Sequence, residues 1–549
     1  AIPADALGFA VVHNVADASD SLGAMAKIVQ APAPNLLSLA KSTTGLEKGL
    51  DEQGDLAIVL TSVDPAPQGV VLVPVANFAE FFAALHVKEP TTGIVEIQLA
   101  GSPKLVGRKG DYAAIAPTTD RDALERLLAS TTNLSTDASL AEWLDANQAS
   151  VVVTSRGIKQ LLPKLTSGIR AAQENLRQVG GELGKPAADA INLYAQLFTA
   201  AEPEVDQFGV ALRIDSVRTV ELVQRIQFTA GGVCAKWAAD AKPAAEDLLA
   251  GLPAGPFVVA MSGVVPPGAM EHLMKFSAQI MQSQPMYNLT PEQAQRYAEL
   301  SMRAMSGVQS IQMLVGVAEP GAGLYGNTTV VMSVDDSKSF IEGYEKTLAG
   351  MREFAEEVKS PAIPVATVQH VKFGATEALE VTMDMSQMTQ FTRRGGPDPQ
   401  KMMEAMLGPD GKMKIYVAPA DEHTIVTSYT SLERLKSAID FYESKQPGLS
   451  GDAGVARVVA AFPPGSQAIA LIKLDGVAKA IQKTIALVPG AQAAKIPDFS
   501  DSPPLGMAAK VSPSGVEGHL IMTAETLRFI GDMVAQARGG APDVSKPQP

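Results

Sequence analysis

Apolar positions fall in short β-rich runs separated by stretches of helical period, and this order recurs along the chain. The run Gly8-Phe-Ala-Val-Val-His13 is followed by Leu22, Met25 and Ile28 at helical spacing. Two further runs, Leu56-Ala-Ile-Val-Leu60 and Val70-Val-Leu-Val-Pro-Val75, flank a proline-rich turn and predict a hairpin. Asn77 is placed to cap a helix carrying Phe78, Phe81, Phe82 and Leu85. The same strand, helical segment, hairpin and helix begin again at Ala149, at Gly255 and at Gln467. An extra meander follows the first and third copies only. Each meander ends in Leu-Glu-Arg-Leu, at 124–127 and at 432–435.

The pattern predicts four repeats grouped in two halves. Their bounds are 1–139 with a meander, 140–250, 251–450 with a meander and an inserted arm at 386–413, and 451–538. A flexible tail, 539–549, follows. The order β-α-β-β-α matches the split β-α-β arrangement. The expected class is therefore α+β: tandem duplicated ferredoxin-like units, largely antiparallel sheets with helices on one face.

Composition narrows the functional classes. A net charge of −14 argues against a nucleic-acid partner and against docking to an anionic membrane surface. No apolar run is long enough for a spanning helix. The one cysteine, Cys234, leaves no internal disulfide and reads as a free thiol on a helix face. The chain opens on Ala1 rather than methionine, which is the pattern left when a secretory signal is removed.

The search for reactive constellations points away from catalysis. The histidines at 13, 86, 272, 370, 423 and 519 form no zinc-binding pair. Gly180-Gly-Glu-Leu-Gly-Lys185-Pro186 is one residue short of a phosphate loop, and proline stands where a magnesium-binding hydroxyl is required. Asp17, Asp20, Asp335 and Asp336 fit helix caps better than calcium ligands. No cofactor is expected.

Two methionine-rich stretches are the candidate interaction elements. Met270, Leu273, Met274 and Met281 share one helical face and form a candidate apolar groove. The inserted arm carries Met388, Phe391, Arg393, Arg394, Met402, Met403 and Met406, an apolar and basic set suited to a partner or a neighbouring copy. With no histidine inside the arm, thioether copper binding is a poor fit.

The openings Ile2-Pro-Ala-Asp-Ala-Leu-Gly-Phe-Ala-Val-Val and Leu252-Pro-Ala-Gly-Pro-Phe-Val-Val-Ala resemble an uncharacterised domain-of-unknown-function family of exported repeat proteins from bacteria such as planctomycetes. That resemblance implies a periplasmic, cell-surface or extracellular location and no enzymatic activity. The leading expectation is a non-enzymatic structural or interaction protein, self-associating or joined to another envelope protein. The alternative is a carrier that binds a lipid-like ligand through the methionine-rich faces of the second half.

Overall fold

The computed structural model describes residues 2–28, 35, 37–38, 41–42, 48–88, 93–132, 134, 138–179, 202–215, 219–244, 247–266, 289–319, 322–360, 363–374, 376–384, 404, 406–408, 411–485 and 502–539. They fall in two compact units. The first is Ala1–Lys236 with Ser514–Pro549, and the second is Trp237–Pro513.

The strands of the first unit are β1 (Gly8–Val12), β2 (Leu56–Ser62), β3 (Gln68–Pro74), β4 (Ile94–Leu99), β5 (Ser102–Lys109), β6 (Tyr112–Pro117), β7 (Ala149–Val153), β8 (Val205–Asp215) and β9 (Thr219–Phe228). They pair in the order β4-β5-β6-β3-β2-β1-β7-β8-β9, antiparallel throughout. The second unit holds β10 (Phe257–Val264), β11 (Val308–Gly316), β12 (Thr328–Val334), β13 (Ala366–Phe373), β14 (Thr376–Asp384), β15 (Lys412–Asp421), β16 (Thr424–Tyr429), β17 (Ala468–Ile472) and β18 (Leu505–Ser512). Their order is β13-β14-β15-β16-β12-β11-β10-β17-β18, again antiparallel. The last strand, β19 (Gly515–Thr523), belongs to the first unit and extends its sheet by pairing with β9 from Gly515↔Gln227 to Thr523↔Thr219.

This arrangement corrects the expected fold class: the chain does not form tandem ferredoxin-like units. In a split β-α-β unit, the two strands joined by a helix are held apart by a third. Here β1 pairs directly with β2, β7 with β8, β10 with β11 and β17 with β18, each across its own helical connection. The segments expected to form separate sheets are also fused. β1 runs alongside β7 and β10 alongside β17, so each unit carries one continuous sheet. The physical reason is edge satisfaction, because a free strand edge exposes a row of unpaired amides and carbonyls.

Helices close one face of each sheet. In the first unit, helix Arg121–Ala129 buries Leu124 and Leu127, the two leucines of its Leu-Glu-Arg-Leu, while Glu125 and Arg126 stay in solvent. They join Phe9, Val59, Leu72 and Trp143 in the main core. In the second unit, Ser431 caps helix Leu432–Ser444, and Leu435, Ala438 and Ile439 are its buried residues. The opposite face is covered at the meander end. Phe78, Phe81 and Phe82 of helix Phe78–Ala84 cover Val106 and Ile115, and Phe340 and Leu348 of helix Ser337–Val358 cover Leu379 and Val417. Asn77 and Asp336 cap those two helices, each accepting a backbone N–H three residues on.

Two glycines mark equivalent tight approaches. A Cβ at Gly157 would overlap the carbonyl oxygen of Leu7, and one at Gly476 that of Phe257. In both units the helix after the β7-type strand therefore starts flush against the entry to the first strand.

A buried charge cluster secures β19 on β9. Glu221 accepts from His519 Nδ1 at 2.5 Å and from Arg213 Nη1 at 3.1 Å. The other ring nitrogen of His519 lies 3.8 Å from Glu517 Oε2, too far for a hydrogen bond but close enough for attraction. Arg225, on the same strand face, donates to the carbonyl and hydroxyl of Ser139. Burial by itself disfavours charge on His519, but the hydrogen bond of Glu221 and the carboxylate charges of Glu221 and Glu517 outweigh it and raise the pKa. A raised folded-state pKa means that this contribution is complete below the unfolded value, about 6.5, and is lost as pH rises through the folded value. The stability difference between the native chain and His519→Gln should therefore shrink between pH 6 and pH 9 in denaturant melts. A difference independent of pH would show that His519 does not hold the strand by charge.

Candidate functional site

Of the candidate interaction residues, only Met406 lies among those described. Met388, Phe391, Arg393, Arg394, Met402 and Met403 of the arm, and Met270, Leu273, Met274 and Met281 of the expected groove, lie outside them. The Met406 carbonyl accepts the N–H of Tyr325 at 3.1 Å. A Cβ on Gly323 would overlap the backbone of Met406 to Gly408, so the returning end of the arm lies flat on the 322–326 turn of its own unit. Arg434, the arginine of the second Leu-Glu-Arg-Leu, pins that turn through Glu319 at 2.6 Å and through Asn327.

The most prominent surface feature is the outer face of the first unit's sheet. Opposed residues in antiparallel strands share a face, so the registers define rows across the sheet. One row is Ile58, Ala10, Val151, Val210, Gln224 and Gly518. On one side of it lies Leu60, Gly8, Val153, Phe208, Ile226 and Val516, and on the other Leu56, Val12, Ala149, Leu212, Leu222 and Leu520. These three rows of six contain no charge and one polar side chain, Gln224. An antiparallel sheet with one wet face normally alternates apolar and polar residues. Here the outward residues are apolar, yet Val151 is 54% exposed, Ile58 49% and Phe208 37%.

The second unit repeats the feature. Val330, Met313, Met261, Ala470 and Met507 form one row, and Thr328, Val315, Val259, Ile472 and Leu505 the next. Met261 at its centre and Met507 at its end are exposed. The sequence signal for these faces was the unbroken apolar run. Leu56-Ala-Ile-Val-Leu60 and Ala149-Ser-Val-Val-Val153 lack the alternation of a half-solvated strand.

Four histidines have polar partners rather than forming a reactive group. His13 pairs with Asp55 at 2.8 Å, His370 lies between Glu345 and Glu377, His423 contacts the Asp335 carbonyl at 2.8 Å, and His519 meets Glu221. Hydrogen bonding to Glu345, followed by the nearby carboxylate charges, raises the pKa of exposed His370. Among the described residues, no three ligating side chains converge as a metal site would require, and no helix is long and apolar enough to cross a membrane.

Comparison with family models, with curated proteins and with solved structures finds no match. The site therefore has to be read from its own chemistry.

Cys234 is half-buried at the start of helix Val233–Ala239, and its N–H donates to Glu204 Oε2 at 2.9 Å. Burial first, then the charge and hydrogen bond of Glu204, push the thiol pKa up and keep it protonated. Since the thiolate is the nucleophile, iodoacetamide should label Cys234 more slowly at pH 7 than it labels a free cysteine. Glu204→Gln should speed labelling several-fold. Fast labelling of the native chain, or no change in the variant, would count against this account.

Proposed function

We propose that the chain is a non-enzymatic interaction protein whose copies associate through the open apolar faces of their sheets. The observation that carries this reading is the uncharged surface centred on Ile58, Val151 and Phe208, with its counterpart at Met261 and Met507. Soluble monomers rarely expose contiguous apolar patches larger than a few hundred Å², and the largest patch is often functional. From strand and residue spacings, the three rows of the first unit span roughly 300–350 Å².

A second copy is the occupant that best fits the chemistry. A two-fold interface needs the same patch on both partners, and every copy presents this one. The face carries no charge, so two chains of net charge −14 can meet there without local repulsion. An anionic lipid surface suits so acidic a chain poorly. A standard interface takes about 800 Å² per partner, so the contact extends past these rows. The family resemblance of the two openings supports placing such an assembly in the periplasm, at the cell surface or outside the cell.

Light scattering coupled to size exclusion tests the proposal. The native chain should form dimers or larger species at micromolar concentration. Ile58→Glu with Val151→Glu should weaken association by about 10- to 100-fold. Full burial of one such side chain contributes about 1.5–3 kcal/mol, and each of these has only about half its surface left to bury, so the pair contributes about as much as one. Both positions are half-exposed, so the melting temperature should change little. A native monomer at all concentrations, or unaltered assembly of the variant, would refute it.

A further inference from the structure

A cavity of about 230 Å³ lies inside the first unit, on the face of the sheet opposite the open one. Its walls are Phe9, Val11, Ala57 and Leu72 from the sheet and Leu140 and Leu144 from helix Ala138–Asp145. Ile2 and Leu134 close one side, and the Leu134 N–H donates to the Ile2 carbonyl at 3.0 Å, tying the two together. The volume matters because an apolar cavity of about 150 Å³ already takes up benzene. This one has room for an aromatic ring with a short side chain.

Four polar residues line the cavity, and Asp55 links two of them, pairing with His13 and acting on the Tyr112 phenol. His13, Asp55, Tyr112 and Asp145 line it beside the apolar walls. Asp55 is anchored by His13 at 2.8 Å and by the Asn14 N–H at 3.0 Å, so its carboxylate is held in position. Burial raises the pKa of the Tyr112 phenol, and the charges of Asp55, Asp111 and Asp51 raise it further. The local field is therefore negative, and Tyr112 adds an aromatic ring next to it. An anchored carboxylate beside an aromatic ring, with a second carboxylate at the rim, favours a cation, and the walls favour an apolar body.

We infer that this cavity binds a small amphiphilic cation, an amine carrying one aromatic or short alkyl group, with the body against Phe9, Leu72 and Leu144 and the ammonium at Asp55 and Asp145. This inference is independent of the proposed association, since it uses the other face of the sheet and different residues.

Three probes of matched size test it on the full chain by titration calorimetry: 2-phenylethylamine, phenylacetate and neutral ethylbenzene. The amine should bind most tightly, ethylbenzene weakly, and phenylacetate least. Asp55→Asn with Asp145→Asn should weaken the amine at least about tenfold and leave ethylbenzene unchanged, because only the charged contact is removed. Leu144→Trp, which fills the cavity, should abolish binding of both. Circular dichroism melts establish that each variant is folded. The inference is overturned if no probe binds the native chain, if phenylacetate binds as tightly as the amine, or if Leu144→Trp still binds.

Discussion

A sheet with two apolar faces must be covered on both, and the rest of this molecule follows from that constraint. One face meets the helices that carry the Leu-Glu-Arg-Leu motifs, which bury Leu124 and Leu127 in the first unit and Leu435 in the second. The other is covered near the meander, by Phe78, Phe81 and Phe82 in the first unit and by Phe340 and Leu348 in the second. Between Leu56 and Leu520 the outer rows remain apolar while Val151 and Ile58 stay about half-exposed. The cost of leaving such a surface in water scales with its area, at roughly 25 cal/mol per Å². A second surface of the same kind offsets that cost without requiring any charge to be matched.

Direct strand pairing makes so wide a sheet possible. β1 lies between β2 and β7, and β10 between β11 and β17, so neither presents an open edge. β19 completes the first unit from the far end of the chain and is secured by Glu221, His519 and Arg213. A purely apolar strand would pair there equally well. A buried ion cluster penalises a register slip by one residue, because it would carry His519 to the opposite face, away from Glu221.

The local elements were legible in the sequence. The hairpins β2–β3, β8–β9 and β11–β12, the Asn77 cap, a cap at Asp335 or Asp336 and both Leu-Glu-Arg-Leu helices follow from period, capping chemistry and turn residues. The way strands pair was not legible, because β-α-β-β-α order is the same whether a helix joins adjacent strands or strands separated by a third. Only the register of Gly8 against both Leu60 and Val153 distinguishes the two. The open face was half-legible. Unbroken apolar runs such as Leu56 to Leu60 announce strands with two apolar faces, but no local pattern tells whether both are covered. The methionine clusters drew attention to 270–281 and 388–406, whereas the exposed methionines at 261 and 507 meet through Ala470 by cross-strand pairing, which linear spacing does not reveal.

Concentration-dependent carbene footprinting tests the central claim most directly. As the chain is raised from nanomolar to tens of micromolar, labelling of Ile58, Val151 and Phe208 should fall, while labelling of exposed positions away from the sheet faces, such as those of helix Arg121–Ala129, stays constant. Equal labelling of the three residues across that range would contradict the claim that these faces are where copies of the chain meet.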